Sequence, residues 1–240
     1  MAKTEDRFEI DTPKGAVSAV WTRARHAYAL PDGDAIPKRS APHPILVIAP
    51  GAGSTLDHPF LKGFTDAMSG RGVATLRFNF LYKERGRKAP DPEGTLREVW
   101  LAAFEEAASR AKGGPVFAGG KSLGGRLASM CVADGMAAAG LVFLGYPLHP
   151  PGKPERIRDE HLYRIEVPML FIQGTKDPFA KPELLQEVLK RLGDRAELVP
   201  IEGGDHSFRR RGVSHPDGTI GAKLAEPAAE FILRVAGANG

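Results

Sequence analysis

Six short apolar runs constrain the fold of this chain more than any other feature of its sequence. They are ILVIA (45–49), VATLRFNF (73–80), PVFAG (115–119), GLVFLG (140–145), VPMLFIQG (167–174) and AELVPI (196–201). A continuous apolar run is expected of a strand buried on both faces. Apolar residues recur at helical spacing over 96–111, 184–192 and 224–235. Strands that alternate with helices predict an α/β fold, with a mostly parallel central sheet and helices on both faces.

The segment before these runs predicts an antiparallel N-terminal hairpin. Apolar and polar residues alternate over 8–10 and again over 17–21, and the turn residues 12–15 lie between them. Residues 25–43 carry three prolines and are expected to form a loop. A chain of 240 residues without a linker-like change of composition is expected to be a single domain, 1–240, with no large cap domain.

Composition and charge favour a soluble cytoplasmic protein. The N-terminus is charged from residue 3 and lacks the apolar core of a signal peptide. The longest weakly polar run, 135–146, is shorter than the roughly 20 residues that span a bilayer. The net charge is +4, and the basic residues do not form one long block. We therefore expect a small-molecule partner rather than a nucleic acid or a membrane.

The segment GGKSLGGR (119–126) fits two incompatible motifs. As a phosphate-binding loop it would need a glycine at position 115, where the chain has Pro115. As G-x-S-x-G it is the sharp turn between a strand and a helix that presents Ser122 as a nucleophile. A strand is predicted before this serine and a helix directly after it, and glycines stand two positions away on either side. We therefore interpret Ser122 as the candidate nucleophile.

A serine nucleophile needs a base, and the base must be oriented by a carboxylate. In a sheet of this kind both partners are expected after later strands, in the order Ser, Asp or Glu, His. Asp177 follows the run 167–174, and His206 follows the run 196–201. We predict that Ser122, Asp177 and His206 form a catalytic triad. Asp205 is the competing acid, and we rank it lower because sequence neighbours rarely point at each other in a loop.

The reaction also needs N–H donors for the oxyanion and contacts for the substrate. We expect the backbone N–H groups of Leu123 and Ala52 to be the donors, with Gly53 as the alternative to Ala52. Candidate substrate-binding residues lie near the carboxyl ends of the predicted strands, where ligands bind in open α/β sheets. They are Gly51, Gly53, His58, Asn79, Tyr82 and Tyr146. His58 fits a helix-capping role equally well, and Lys121 is expected to be exposed to solvent.

Two further expectations concern cofactors and access to the site. The sequence has no metal-ligand spacing, and the triad mechanism needs no cofactor, so we expect neither a metal nor another cofactor. Residues 146–166 form a proline-rich segment that is long enough for a flap over the site. The segment is too short for a lipase-type lid, and small, fairly soluble substrates are therefore expected.

The chain resembles the α/β-hydrolase superfamily, and within it small members related to dienelactone hydrolases that lack a large lid. The resemblance rests on GAGS (51–54), GGKSLGGR (119–126), GYPLHPPGKPE (145–155) and QGTKDPF (173–179). It implies a serine hydrolase of small acyl esters, similar to carboxylesterases. The chain departs from dienelactone hydrolase itself, whose nucleophile is cysteine, because its single cysteine, Cys131, is expected in the core.

Alternatives to the esterase remain open at this point. The same group includes proteins that serve as parts of larger assemblies, so a catalytically weak or inactive scaffold is one alternative. Thioester or peptide cleavage in the same site is another. The sequence leaves the natural substrate and the oligomeric state open.

Overall fold

The structure, a computed structural model, describes residues 5–25 and 42–238. Most of the loop expected at 25–43 therefore lies outside the described residues. The strands are β1 (Glu5–Ile10), β2 (Val17–Thr22), β3 (Ile45–Ala49), β4 (Ala74–Phe78), β5 (Val116–Lys121), β6 (Leu141–Leu144), β7 (Met169–Gly174) and β8 (Ala196–Ile201). Within the described ranges they form one sheet, in the order β1-β2-β4-β3-β5-β6-β7-β8.

The sheet is parallel except at its N-terminal edge. Strands β1 and β2 pair antiparallel as a hairpin, and β2 pairs antiparallel with β4. Every pairing from β4 through β3, β5, β6 and β7 to β8 is parallel. The predicted mostly parallel sheet with an antiparallel hairpin is confirmed.

Helices cover both faces of this sheet. They are α1 (Pro59–Gly70), α2 (Leu81–Glu84), α3 (Glu93–Arg110), α4 (Leu123–Ala133), α5 (Pro182–Leu192) and α6 (Asp217–Ala238), with 3₁₀ helices at Glu160–Arg164 and Gly193–Arg195. Leu46 and Ile48 of β3 pack in one core cluster with α1 and α6. Ile45 and Val47 of the same strand pack in a second cluster with α3, α4 and α5. Alternate residues of a strand point to opposite faces, so one strand serves both layers. No helix among these described residues is long and apolar enough to cross a membrane.

Two boundaries differ from the sequence prediction in ways that affect the site. Strand β5 runs to Lys121 instead of ending at Gly119, because Gly120 and Lys121 continue the parallel pairing with β6. The predicted run 73–80 ends as a strand at Phe78, and helix α2 follows within three residues. Helix α2 has four residues, too few to produce a recognisable apolar period.

Helices α1 and α6 cross closely because glycines lie at their contact. A Cβ atom built on Gly63 would lie 2.0 Å from the carbonyl oxygen of Gly218, and one built on Gly221 would lie 2.0 Å from that of Phe60. Neither position has room for a side chain. This crossing brings the N-terminal ends of the two helices together beside the carboxyl edge of the sheet.

Candidate active site

Ser122 lies in a strained turn between strand and helix. Strand β5 ends at Lys121, helix α4 begins at Leu123, and Ser122 between them has a φ of 51°. A non-glycine residue with positive φ is uncommon and marks functional sites in many proteins. A Cβ atom on Gly124 would lie 2.5 Å from the carbonyl oxygen of Ala49 in β3. The glycines therefore let α4 approach the sheet closely enough to hold this turn.

His206 links Ser122 to Asp177. The imidazole Nε2 lies 2.8 Å from Ser122 Oγ, and Nδ1 lies 2.7 Å from Asp177 Oδ2. The Asp177 side chain is fully buried, whereas the His206 side chain is 20% exposed. With its proton on Nδ1, the imidazole donates to the carboxylate and leaves Nε2 free to accept the serine proton. The structure thus brings the three predicted residues within hydrogen-bonding distance.

Neighbouring groups fix both Asp177 and the imidazole. Asp177 Oδ1 accepts the Phe179 N–H at 2.8 Å, and Oδ2 also accepts from Gln173 Nε2 at 2.7 Å. The Phe179 ring packs on the imidazole with a centroid distance of 4.2 Å. Sequence reasoning did not assign Gln173 and Phe179 to the site. Both lie in the QGTKDPF motif, which is the signal that could have found them.

The competing acid, Asp205, is used inside its own loop. Its Oδ1 accepts the N–H groups of Ser207 and Arg209, at 2.8 and 2.9 Å. These bonds hold the loop that carries His206. The lower ranking of Asp205 thus agrees with the geometry.

Two backbone N–H groups next to Ser122 are available for an oxyanion. Leu123 is the first residue of α4, so its N–H has no acceptor within the helix. In the loop after β3, the Gly53 N–H donates to the Tyr82 hydroxyl at 2.9 Å. The exposed Ala52 has no acceptor for its N–H within the described part of the chain. The geometry therefore favours Ala52 over Gly53.

Ser122 and His206 face a cavity of about 330 Å³ at the carboxyl edge of the sheet. Its apolar wall is formed by Phe60, Leu61 and Phe179. The lining includes Gly51 and His58, two of the candidate substrate contacts, and Ala52, the candidate oxyanion donor. The remaining lining residues are Ser54, Lys121, Ser207, Arg209 and Asp217. Among the described residues, no group of three or more His, Cys, Asp or Glu side chains is placed to hold a metal ion.

A match to a known family agrees with this fold and this arrangement. Residues 42–233 match the alpha/beta hydrolase domain family. The chain belongs to this family. The matched region runs from the start of β3 into α6 and contains all three residues of the Ser-His-Asp arrangement.

Solved structures of similar fold cover almost the whole chain. A dienelactone hydrolase from Anabaena variabilis is 19% identical with a TM-score of 0.69, covering 97% of this chain and 99% of its own. Est1E from Butyrivibrio proteoclasticus with bound ferulic acid is 16% identical with a TM-score of 0.71, covering 96% and 99%. A serine hydrolase without a lid from Xanthomonas campestris is 16% identical with a TM-score of 0.67, covering 98% and 95%. At these identities the likeness concerns the fold.

Three side chains that were predicted as substrate contacts do not line the cavity. Asn79 Oδ1 accepts the Leu56 N–H at 2.7 Å, and the buried Tyr82 accepts the Gly53 N–H. Tyr146 is also buried, and its hydroxyl donates to the carbonyl of Arg158 at 2.8 Å. The expectation is corrected for these residues, because their polar atoms satisfy backbone groups of nearby loops. Gly53 is likewise outside the lining, since its N–H points to Tyr82.

His58 caps helix α1 and also lines the cavity. Its Nδ1 accepts the Phe60 N–H at 3.2 Å and caps α1. Its Nε2 faces the cavity 3.9 Å from Asp217 Oδ2. Asp217 also pairs with Arg209 at 2.8 Å. The crossing of α1 and α6 thus brings His58 and Asp217 together in the lining of the cavity.

The segment 146–166 does not cover the cavity of the hydrolase domain. None of its residues lines the cavity. Leu162 and Ile165 are buried in the cluster with α4 and α5. His161 Nε2 lies 2.8 Å from Ser129 Oγ on α4 and 3.3 Å from the Tyr146 hydroxyl. The segment is therefore attached along the side of the domain and leaves Ser122 accessible from the cavity.

Proposed function

We propose that this protein is a serine hydrolase that cleaves small acyl esters through an acyl-enzyme intermediate. One observation carries the proposal: His206 lies at 2.8 Å from the Ser122 hydroxyl and at 2.7 Å from the Asp177 carboxylate. The fold alone does not fix the function, because related folds serve many activities. The open cavity beside Ser122 supports an enzyme rather than a scaffold.

Acylation begins when Ser122 Oγ attacks the acyl carbon and its proton passes to His206 Nε2. Asp177 then stabilises the imidazolium and keeps its tautomer fixed. The carbonyl oxygen becomes an oxyanion, which the N–H groups of Leu123 and Ala52 stabilise. His206 gives the proton to the leaving oxygen, the alcohol departs, and the acyl group stays on Ser122.

Deacylation repeats these steps with water as the nucleophile. His206 Nε2 takes a proton from water, and the hydroxide attacks the acyl carbon. The same two N–H groups stabilise the second oxyanion. Collapse of this intermediate breaks the bond to Ser122 Oγ, which recovers its proton from His206, and the carboxylic acid is released.

The cavity supports a small acyl group as the substrate. Its volume of about 330 Å³ lies at the lower end of the range for ligand pockets. Phe60, Leu61 and Phe179 offer an apolar wall to the acyl chain. The Arg209–Asp217 pair offers polar contacts to the remainder of the ester. We therefore propose short to medium acyl chains rather than long-chain lipids.

A panel of acyl substrates tests this proposal. We expect p-nitrophenyl esters from acetyl to dodecanoyl to be hydrolysed, with the shorter chains preferred. A feruloyl ester belongs to the panel because Est1E holds ferulic acid, and a thioester and a peptide amide test the other chemistries. Ser122→Ala should lower kcat by about a thousandfold or more. Ser109→Ala changes an exposed serine on α3 and should leave turnover unchanged.

The outcomes separate the proposed activity from its alternatives. Ester turnover that survives Ser122→Ala would assign the nucleophile elsewhere. A folded wild-type protein that cleaves no ester, thioester or amide would favour the scaffold. Preference for the thioester or the amide would keep the mechanism and change the substrate class.

A further inference from the structure

A second cavity lies beside the first, on the far side of the loop that carries His206. Its volume is about 290 Å³. Its walls come from the segment 201–215 and from the first half of α6. Arg209 lines both cavities, whereas the remaining lining residues are not shared. The mechanism proposed above makes no use of this second cavity.

The interior of this cavity is apolar. Phe208, Ile220 and Leu224 are buried and line it. Val213 lines it as well and, at 48%, is the most exposed of the large apolar side chains among the described residues. A ligand that covered Val213 would remove apolar surface from water, which favours binding.

The rim of the cavity carries more basic than acidic side chains. Arg210, His215 and Lys223 line it together with Arg209, and no acidic residue is part of the lining. Arg209 is neutralised by Asp217. Among the described residues Arg210 forms no ion pair with Asp or Glu, and Lys223 contacts His215 instead of a carboxylate. Uncompensated positive charges around one cavity favour an anionic ligand.

One of these cations is held in place. Lys223 Nζ lies 3.3 Å from His215 Nε2, within reach for the ammonium to donate a hydrogen bond to this nitrogen. This contact orients the ammonium without neutralising it. A fixed cation loses less side-chain freedom when an anion binds than a fully mobile lysine would.

From this combination we infer a second ligand site, which binds a small organic anion with an apolar body, such as a medium-chain carboxylate. Its carboxylate contacts Lys223 and Arg210, and its hydrocarbon chain lies against Phe208, Leu224 and Val213. The volume fits a compact ligand at the lower limit of ordinary binding pockets. The inference is independent of whether Ser122 is catalytic.

Methyl NMR with octanoate as the probe tests the site and separates it from the first cavity. Titration of the full chain should shift the methyl signals of Ile220, Leu224 and Val213 in a saturable manner. The methyl groups of Leu61 report on the first cavity in the same spectra. Octanol lacks the charge and acetate lacks the chain, so both should bind at least fivefold more weakly than octanoate.

Three variants and one control define the contacts. Arg210→Gln and Lys223→Gln should each weaken octanoate binding by about three- to tenfold, as for the loss of one partly exposed charge. Arg211→Gln removes the same charge from the next residue, which does not line the cavity, and should leave the affinity unchanged. Val213→Ser should weaken the binding of octanoate but not of acetate. These side chains are exposed, so the variants are expected to fold, which thermal unfolding checks.

The results that would overturn the inference are specific. Octanoate shifts that are confined to the Leu61 methyl groups would place all binding in the first cavity. Equal affinities for octanoate and octanol would exclude recognition of the anion. If Arg210→Gln and Lys223→Gln behaved like Arg211→Gln, the positive rim would have no part in binding.

Discussion

Lys121 buries its ammonium group next to the candidate nucleophile. Its Nζ is buried without a hydrogen-bond partner among the described residues and lies 5.4 Å from the centre of the Phe208 ring. Burial lowers the pKa of this amine from 10.5 to about 8, although Asp177 and Asp205 act in the opposite direction. The expectation of an exposed Lys121 was wrong because β5 continues through this residue and the loop carrying Phe208 packs against it.

Replacing Lys121 by methionine should stabilise the protein at neutral pH. The unfolded chain binds more protons than the folded protein between pH 8 and 10.5, so the free energy of unfolding of the wild type rises with pH in this window. At pH 7 the buried charge still destabilises the fold. Lys121→Met should raise the free energy of unfolding there by on the order of 2 kcal/mol. Urea denaturation at pH 7 and pH 10 measures both effects, and an unchanged pH dependence in Lys121→Met would contradict this account.

Tyr82 is expected to act as a positioning residue for the oxyanion donor. Tyr82→Phe removes the acceptor of the Gly53 N–H, so the loop that presents Ala52 loses one of its fixed contacts. We expect kcat for a short ester to fall about fivefold with little change in KM, since about 1 kcal/mol of hydrogen bonding is lost and the contact matters most in the transition state.

Tyr163→Phe is the matched control for Tyr82→Phe. It removes a hydroxyl that donates to Asp159, in the segment attached along the side of the domain. Steady-state kinetics should show unchanged kcat for this control. A Tyr82→Phe protein with wild-type kcat, or with a raised KM alone, would remove Tyr82 from the positioning of the loop.

At the scale of elements, the close contact between β3 and α4 is the feature on which the site depends most. Gly124→Ala would place a Cβ atom 2.5 Å from the Ala49 carbonyl oxygen, so either the helix or the strand must shift. Overpacking of this kind costs about 1–3 kcal/mol. We expect a lower midpoint of thermal unfolding together with slower labelling of Ser122.

Gly94→Ala provides the comparison for Gly124→Ala. Gly94 lies in α3, and a Cβ atom built on it meets nothing within 4 Å. This substitution should be neutral or stabilise the protein by up to about 1 kcal/mol, because alanine favours the helix. Equal unfolding midpoints for the two variants would show that the predicted crowding at Gly124 is absent.

The segment 146–166 is attached to α4 through His161, and this attachment should be sensitive to acid. Burial, followed by the charges of Arg126 and Arg164, lowers the pKa of His161 from 6.5 to about 4. Between pH 4 and pH 6.5 the unfolded chain therefore binds more protons than the folded protein. The free energy of unfolding should fall as the pH decreases from 6.5 to 4. In His161→Gln, the glutamine side chain can still donate a hydrogen bond but does not titrate in this pH range.

Comparison of wild type and His161→Gln isolates this contribution from other titrating groups. Denaturant unfolding at pH 7 and pH 4.5 should show a smaller loss of stability in the variant than in the wild type. The same loss in both proteins would mean that protonation of His161 does not destabilise the attachment.

The sequence predicted the elements better than their ends. All six apolar runs contain strands, because burial on both faces leaves a clear pattern. The end of β5 was missed because glycines continue its pairing without an apolar side chain. Asn79, Tyr82 and Tyr146 were assigned to the correct edge of the sheet, but their side chains point into the protein. The position of a residue at the end of a predicted strand does not specify where its side chain points.

At the scale of the whole molecule, the strand order explains why three distant residues meet. Ser122 follows β5, Asp177 follows β7 and His206 follows β8, and these strands lie in one half of the sheet with only β6 between the first two. Parallel strands end at the same edge, so their following loops converge there. This is why the order of Ser, Asp and His along the chain could predict the arrangement, whereas the cavity wall from α1 and α6 could not be predicted.

The most direct test of the central claim is labelling by a fluorophosphonate, followed by mass spectrometry of the digested protein. The account predicts one modified residue, Ser122, and predicts that labelling is lost in His206→Gln while the protein remains folded. A Ser122 that stays unmodified under conditions in which a known serine esterase reacts, or labelling at the same rate in His206→Gln, would contradict it.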